Sequence, residues 1–452
     1  MVHVRRLVVM LAASAVLAAG CGGLVPSSTP IPTAIPSASV SPSATAQPTT
    51  SIVTDRPIAS SGSIAVLSQD GSLSVISAGG RSVALSDPAD GNFGFPTWSP
   101  DGSRIAAVRS RGSETSLVVF DATEIAAGVP VEPVVIFSKP SVEPFYLFWT
   151  PDSQAVSFLA SEGGDLSLRI APGDGSAPLD GSGPGARVRT GNPFYYDWID
   201  QDRLVAHIGV GPKAVLGELG LDGKAVGKSL GTPSDFRSPV VSTDRKSIAF
   251  VRAGETGEGN VVVAARDASS EHTMAVFGTA AVLFDPTGNT IASIGPDEPQ
   301  PAAGFPVGPV RLMDATSGTV RTLIDGRVVS FWWSPDGKTI AALRFQPAGD
   351  AGSSVSPIPS PSTPRTEVRL LFVDVASGEV RSEPVVQVSP TFVNGILAYF
   401  DQYALSHRVW APDSSSILLP EMAADGATQI SVRSPGGEPP ITLEGELAFW
   451  SP

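Results

Sequence analysis

Residues 331–343, FWWSPDGKTIAAL, contain the pattern that decides the fold. An apolar run ends in Trp333, and a turn of sequence S-P-D-G follows it. Proline presets its own φ, Asp bonds to nearby backbone and Gly accepts a positive φ, so these four residues favour a β-turn. The apolar and β-branched residues after the turn are typical of a second strand. The segment therefore predicts a β-hairpin.

The same pattern returns along the chain. Clear copies lie at 95–108, 146–159 and 408–419, weaker copies at 195–208, 238–250 and 281–294, and a half copy at 447–452. Aligned on the residue before the turn, the copies form one column, here called the Trp column: Trp98, Trp149, Trp198, Val241, Phe284, Trp333, Trp410 and Trp450. Most neighbours in the column are about 40–50 residues apart, the length of a four-stranded propeller blade.

The repeat predicts an all-β fold, a β-propeller of four-stranded blades with no long helix after residue 20. Eight first strands predict eight blades, with seven as the alternative if the weak copy near Val241 is not a blade. The stretch at 63–85 has the second, third and fourth strands of a blade but no first strand. Residues 446–450 would supply it, so that the C-terminal strand joins the N-terminal blade and closes the ring.

Composition and the N-terminus indicate where the protein resides. The formal charge is −14, which disfavours a nucleic-acid partner because phosphate binding rests on Lys and Arg. Residues 1–20 have the layout of a signal peptide, with two arginines, an apolar run and small residues that lead directly into Cys21, the only cysteine. Residues 21–60 are rich in Ser, Thr, Pro and Ala and predict a disordered stalk. The propeller is expected over 61–452, with a disordered Ser/Pro loop at about 346–366.

The ending at Cys21 resembles the bacterial lipobox, in which the Cys thiol receives a diacylglyceryl group and becomes the mature N-terminus. The alternative is an ordinary cleavage site with an incidental Cys. The resemblance implies a lipoprotein anchored by acyl chains on the outer side of a bacterial membrane.

The unit W-S-P-D-G-x-x-I-A resembles the WD40-like (PD40) repeat of TolB-type propellers over about residues 61–452. The same repeat forms the non-catalytic propeller of prolyl-oligopeptidase-like enzymes, whose hydrolase domain has no counterpart in this sequence. Residues 399–414 are also similar to a stretch in bacterial lipoproteins of this type. The family resemblance implies a protein that binds a partner in the cell envelope.

One group of side chains is predicted to lie on a single face. All five Tyr precede a first strand or open it, and in a propeller these connections gather around the mouth of the central channel. The predicted binding residues are Tyr146, Tyr195, Tyr196, Tyr399, Asp401, Tyr403, His407 and Arg408. Such side chains could stack on a sugar or grip a peptide. The alternative is that they pack against loops and only cover the mouth.

Motifs for catalysis are missing from the sequence. It contains no G-x-S-x-G elbow and no P-loop, and its four His share no metal-ligand spacing, so we predict no catalytic residue, no cofactor and no metal. The neighbouring Asp197, Asp200 and Asp202 are interpreted as turn caps rather than as a Ca²⁺ site. The Asp of each repeat is interpreted as a turn former, and the Trp column as packing between blades.

The leading functional hypothesis is a monomeric, membrane-anchored extracytoplasmic propeller that binds a protein, a peptide or a glycan of the cell envelope. A rival is a glycosidase or lyase that uses carboxylates on the rim, such as Asp197 or Asp401. A third hypothesis is a structural spacer without a specific ligand. Fold alone does not choose among them.

Overall fold

The computed structural model describes residues 49–51, 56–127, 131–183, 186–234, 237–254, 258–298, 306–345 and 367–452. Cys21, the predicted signal peptide, most of the predicted stalk and the predicted Ser/Pro loop lie outside the described residues. The part that the structure describes is all-β and consists mainly of four-stranded antiparallel sheets, as in a β-propeller. None of its helices is long and apolar enough to cross a membrane.

The strands follow one another through the sheets in chain order. The first sheets contain β1 (Thr49–Ser51), β2 (Ser63–Leu67), β3 (Leu73–Ser77) and β4 (Arg81–Ala84), then β5 (Asn92–Trp98), β6 (Arg104–Arg111), β7 (Glu114–Asp121) and β8 (Val134–Ser138). The next contain β9 (Glu143–Trp149), β10 (Ala155–Glu162), β11 (Asp165–Pro172) and β12 (Arg187–Thr190), then β13 (Phe194–Asp200), β14 (Arg203–Ile208), β15 (Val215–Gly220) and β16 (Ala225–Val226).

The second half of the chain continues this order. One sheet contains β17 (Val240–Val241), β18 (Ser247–Ala253), β19 (Gly259–Ala265) and β20 (Glu271–Val276). A larger one contains β21 (Ala281–Phe284), β22 (Thr290–Ile294), β23 (Gly308–Asp314), β24 (Val320–Trp333), β25 (Thr339–Phe345), β26 (Glu367–Asp374) and β27 (Val380–Gln387). The chain ends with β28 (Ile417–Met422), β29 (Thr428–Arg433), β30 (Ile441–Glu444) and β31 (Leu447–Trp450).

Several short helices lie between the strands. They are α1 (Ala122–Ala127), α2 (Pro390–Gly395) and α3 (Phe400–Ser406), with 3₁₀ turns at Pro88–Asp90, Gly211–Lys213 and Leu397–Tyr399. Ser389 caps α2, because its hydroxyl accepts the N–H of Phe392, and Pro390 occupies the first turn, where it costs no hydrogen bond. The stretch 399–406, which the sequence placed in a connection, is therefore largely helical.

The repeated turn forms as its residues predict. Asp101 Oδ1 accepts the hydroxyl of Ser99 at 2.6 Å and the N–H of Ser103 at 3.0 Å. Asp336 accepts equivalent bonds in its own copy of the turn. Asp200 accepts the N–H of Asp202 at 2.9 Å. The interpretation of these carboxylates as turn formers is confirmed.

The Trp column joins neighbouring sheets. The indole N–H of Trp149 donates to the carbonyl of Thr97 at 3.1 Å, and that of Trp410 to the carbonyl of Trp332 at 3.2 Å. In both cases the acceptor is the residue just before the column member of the preceding sheet. The column therefore packs between sheets, as predicted, and the indoles of Trp149 and Trp410 also satisfy a strand carbonyl.

The sequence predicts four separate strands for each repeat, and the structure differs from this in two places. The weak copy near Val241 forms a first strand of only two residues, β17, which still pairs with β18. The expected break before Trp333 is absent, because β24 pairs with β23 through its first part and with β25 through its last part. One seven-stranded sheet thus stands where two repeats were predicted.

The two ends of the described chain meet in one sheet. Strand β31 pairs antiparallel with β2, with Ile64 opposite Trp450 and Leu67 opposite Leu447. The indole N–H of Trp98 donates to the carbonyl of Phe449 at 3.2 Å, which repeats the bond of the Trp column. Strand β31 therefore occupies the first-strand position beside β2.

Candidate binding cavities around a central helix

Helix α3 contacts β9, β13, β21 and β24, which belong to three sheets, so it lies among these strands. Its apolar side chain Phe400 packs edge-on against the rings of Phe331 and Trp332, at centroid distances of 5.7 and 6.1 Å. The hydroxyl of Thr97 donates to the carbonyl of Ser406 at 2.6 Å. These contacts fix both ends of the helix.

The position three residues before the Trp column lies beside this helix in several copies of the repeat. Three residues before the Trp column stand Phe95, Tyr146 and Tyr195 in three consecutive sheets, then Ser238 in the next. Tyr146 donates its hydroxyl to the carbonyl of Gln402 at 2.9 Å. Part of the surroundings of α3 therefore comes from one column of the repeat.

Two of these aromatic residues stand at β-bulges. Phe95 and Tyr146 have φ of 49° and 46°, and the register of their strands shifts beside them. A left-handed φ is costly for an aromatic residue, and a bulge redirects a side chain out of the regular alternation. Here the redirected rings meet Tyr403 of α3, at centroid distances of 5.8 and 5.3 Å.

Asp401 holds α3 to the fifth sheet. It is fully buried, and its carboxylate accepts the backbone N–H of Ser238 at 3.0 Å. The guanidinium of Arg237 lies 3.6 Å from the other carboxylate oxygen. A buried carboxylate with a cation and an N–H donor beside it is a structural anchor.

His407 ends the helix and is also buried. Its Nδ1 lies 2.7 Å from the hydroxyl of Ser406, and its ring packs edge-on against Tyr403 and Phe449. Burial lowers the pKa of His407 to about 3, so the imidazole is neutral at ordinary pH. It acts as a packed aromatic side chain rather than as an acid.

A cavity of 470 Å³ opens beside α3 at the starts of the first strands, and is here called the aromatic cavity. It is lined by Phe95, Phe145, Tyr146, Leu159, Leu166, Asn192, Pro193, Phe194, Tyr195, Asn394, Gly395, Tyr399, Gln402 and Tyr403. None of these described lining residues carries a charge. Tyr399 is 47% exposed, whereas Tyr146 and Tyr403 are buried.

Gln402 gives this apolar wall a buried polar group without a partner among the described residues. The residue is only 3% exposed, and its side-chain N–H finds no acceptor among the described residues. A buried donor without a partner is costly, so it favours the entry of an acceptor.

A second cavity of 430 Å³ lies at the ends of the first strands, and is here called the strand-end cavity. Helix α3 contributes Ala404 and Leu405 to its wall, and residues 407–410 contribute the rest of that side. Turn residues Thr243, Pro286 and Pro335 line it too. The cavity is therefore reached from the end where the repeated turns lie.

The structure divides the predicted binding residues. Tyr146, Tyr195, Tyr399 and Tyr403 line the aromatic cavity. His407 and Arg408 line the strand-end cavity instead, because the chain passes from one cavity to the other at the end of α3.

Tyr196 and Asp401 line neither cavity. The hydroxyl of Tyr196 lies 2.9 Å from that of Ser157 in the core, and its ring is fully buried. Among the predicted tyrosines of the cavity, only Tyr399 is exposed, so the packing alternative describes much of this group.

The sequence reasoning missed the phenylalanines and amides of the aromatic cavity. Phe95 and Tyr195 share the column position described above, which was a signal available in the repeat. Asn394 lies in α2 and Gln402 in α3, and neither carried such a signal, because only the packing of these two short helices brings them to the cavity.

The carboxylates of the enzyme hypothesis are engaged in the core. Asp197 is buried and accepts the N–H groups of Trp198 and Val241, both at 2.7 Å, and burial raises its pKa to about 6. Neither Asp197 nor Asp401 lines the two cavities. In the part of the chain that the structure describes, no three His, Cys, Asp or Glu side chains gather as metal ligands.

Comparison with known proteins gives low similarity. No family model and no curated protein matches the chain. Among solved structures it is similar to TolB from Acinetobacter baumannii, with 17% identity and a TM-score of 0.36 over 57% of this chain and 65% of that chain, which is less than two thirds of TolB. It is also similar to the dihydro-heme d1 dehydrogenase NirN in complex with DHE, with 16% identity and a TM-score of 0.48 over 88% of this chain and 76% of that chain.

A third similar structure is an oligogalacturonate lyase in complex with manganese, with 10% identity and a TM-score of 0.43 over 88% of this chain and 85% of that chain. All three TM-scores are below 0.5. These likenesses therefore add nothing to the strand pairings and side-chain contacts described above.

Proposed function

We propose that this protein is a binding module, a membrane-anchored extracytoplasmic propeller that holds a neutral, apolar segment of an envelope peptide or protein in the aromatic cavity. The observation that carries the proposal is the wall of that cavity, where aromatic side chains from three sheets and α3 lie together with Gln402, whose buried side-chain N–H has no acceptor among the described residues. Concave apolar sites with a few fixed polar groups are the usual form of a ligand site.

In this proposal the ring has eight blades. Strands β21–β27 make two of them through the shared β24, and residues 408–410 with β28–β30 make another. Strand β31 completes the blade of β2–β4. The pairing of β31 with β2 and the bond from Trp98 to Phe449 support the closure.

The proposed anchor is a lipidated Cys21 that carries the propeller on the stalk of residues 22–60. Its support is the lipobox-like sequence before Cys21. We expect Cys21→Ser to abolish lipidation and to move the protein out of the membrane fraction or leave it uncleaved. Mass spectrometry of the membrane-derived protein checks this, and an unmodified Cys21 in that fraction would contradict the anchor.

A peptide fits the aromatic cavity better than a glycan. Each hydroxyl of a buried sugar needs a hydrogen-bond partner, and a wall made mainly of Phe and Tyr rings offers few. A peptide side chain can bury carbon against the rings while its backbone carbonyl accepts from Gln402. The absence of charge in the described wall favours an uncharged side chain.

Tyr399 provides the test, because it is exposed and its removal leaves the core intact. A displayed peptide library is panned against the full-length protein, and the enriched peptides are measured by titration against wild type, Tyr399→Phe and Tyr399→Ala. We expect uncharged peptides with an aromatic or aliphatic anchor, affinity retained in Tyr399→Phe, and a loss of about 2 kcal/mol in Tyr399→Ala.

The matched control is Tyr196→Phe, which changes a tyrosine outside the cavity. Enriched peptides that bind all variants equally would contradict the proposed site. A glycan array that gives Tyr399-dependent binding, with no such peptide, would replace the peptide by a sugar.

A further inference from the structure

The strand-end cavity has an aromatic wall and one open cation. Trp332, Trp333, Trp410 and Phe284 line it, together with aliphatic side chains of the first strands. Arg408 is the only Lys or Arg among its described lining residues, and its side chain is exposed there. Among the described residues the Arg408 guanidinium has neither a hydrogen bond nor an ion pair.

The protein around the guanidinium removes part of its water. This desolvation lowers the pKa of Arg408, and no nearby charge offsets it. The side chain is exposed because it projects into the cavity, yet protein surrounds it. A partly desolvated guanidinium without a counter-ion has an unfavourable electrostatic free energy, which a bound anion would lower.

The other ionisable groups of the wall do not neutralise it. Asp285 uses one carboxylate oxygen for the hydroxyl of Thr287 at 2.5 Å and the other for the N–H of Thr290 at 2.8 Å, so the turn holds it. His407 is buried and neutral, as described above. The Arg408 guanidinium is therefore an unpaired positive group in this cavity, whose described wall also holds the carboxylate of Asp285, within a chain of formal charge −14.

We propose that the strand-end cavity binds a small anionic molecule with a flat apolar body, whose carboxylate or phosphate group pairs with the Arg408 guanidinium. Arginine presents parallel N–H donors that match both oxyanions. The partly exposed rings of Trp333 and Phe284 provide the surface for the body of the ligand. This site is separate from the aromatic cavity, which holds no charged side chain among its described residues.

The volume limits the ligand. A cavity of 430 Å³ lies in the usual range for small-molecule sites, and it excludes a folded partner or a nucleic acid. Long polyanions are further disfavoured by the net negative charge of the chain. A single ring or a fused pair of rings with one oxyanion fits these limits.

Titration calorimetry with three probes tests the site on the full-length protein at 0.15 M salt. The probes are 1-naphthyl phosphate, 1-naphthoate and the neutral 1-naphthalenemethanol, so the first two separate phosphate from carboxylate. We expect at least one anion to bind, the alcohol to bind at least about tenfold more weakly, and Arg408→Gln to lose about tenfold or more for the anion alone. Arg408→Lys should keep part of the affinity, because it keeps the charge.

The matched control is Arg111→Gln, a surface arginine whose side chain is 62% exposed, and it should bind like wild type. Thermal melting of each variant shows that the fold is kept. Equal anion affinity in Arg408→Gln and wild type would overturn the proposal, and so would a wild-type protein that binds neither anion.

The position of the ligand is read independently by fluorine NMR of protein labelled with 5-fluorotryptophan. The signals of Trp332, Trp333 and Trp410 should shift on addition of the anion, whereas Trp149, which lines neither cavity, should not. Shifts confined to other tryptophans would place the anion elsewhere and overturn the assignment.

Discussion

Tyr399 and Tyr403 lie within one turn of each other, but their surroundings are opposite. Tyr403 is 6% exposed and stacks on Phe95, whereas Tyr399 is 47% exposed at the rim of the aromatic cavity. Proximity in sequence therefore did not reveal which tyrosine is available to a ligand.

This difference gives a stability prediction. Tyr403→Ala should lower the free energy of unfolding by about 3–5 kcal/mol, because it empties a packed aromatic site. Tyr399→Ala should change it by less than about 0.5 kcal/mol. Urea denaturation of both variants checks this, and similar losses in the two would show that the rim tyrosine is also part of the core.

Asp197 makes stability depend on pH. Its folded pKa of about 6 lies above the ordinary pKa of an Asp carboxyl, about 3.9, so the folded state binds the proton more tightly than the unfolded chain does. The resulting stabilisation is complete below about pH 4 and is lost as the pH rises through 6.

The sign can be tested with Asp197→Asn, which cannot titrate. Wild type should exceed this variant in stability by more at pH 4 than at pH 7, with a change of about 3 kcal/mol at most. Denaturation at both pH values measures it. A gap that stays constant, or widens toward pH 7, would mean that burial does not control this carboxylate.

At the scale of elements, the Trp column predicts a specific contribution to packing between sheets. Trp149 and Trp198 are both buried, but only Trp149 donates its indole N–H, while that of Trp198 has no acceptor among the described residues. Trp149→Phe should therefore cost about 1 kcal/mol more than Trp198→Phe.

Denaturation of the two variants compares them directly. Phenylalanine keeps a ring beneath the guanidinium of Arg104, which lies 5.0 Å from the Trp149 ring, so the comparison isolates mainly the hydrogen bond. Equal losses would show that the column stabilises through ring packing alone.

Elements were predictable from the sequence where local chemistry decides them. The S-P-D-G turn and the apolar strand before it act within a few residues, so even the copy at Val241 could be placed. Beside that position Arg245 donates to the carbonyls of Trp198 and Ile199, at 2.8 and 2.9 Å, so an arginine and not an indole links these two sheets. This contact could not be predicted from the local sequence, because Arg245 and Trp198 belong to different sheets.

The position of α3 was not predictable for the same reason. Its residues touch β9, β13, β21 and β24, which are far apart in sequence, and only the packed strands define the space it fills. Arg408 was consequently grouped with the tyrosines, although the helix separates it from their cavity.

At the scale of the whole molecule, the pairing of the two ends has a measurable effect. Deleting residues 446–452 removes β31 and exposes the edge of β2, so we expect a large fall in melting temperature or failure to fold. The control is deletion of residues 353–364 in the predicted Ser/Pro loop, which should cost little because stability depends weakly on loop length. Unchanged melting after the C-terminal deletion would contradict a structural role for β31.

The long strand β24 determines which part of the molecule resists local unfolding. Neighbouring blades that are joined by a loop can unfold locally one at a time, because the loop does not couple the hydrogen bonds of one sheet to those of the next. Here β24 is one strand of fourteen residues that pairs with both β23 and β25 in the same seven-stranded sheet, so a strand and not a loop joins the two ladders. The amides of both ladders should therefore exchange with solvent as one cooperative unit. Local opening of the backbone should then concentrate in the other sheets, while the sheet that contains β24 stays closed.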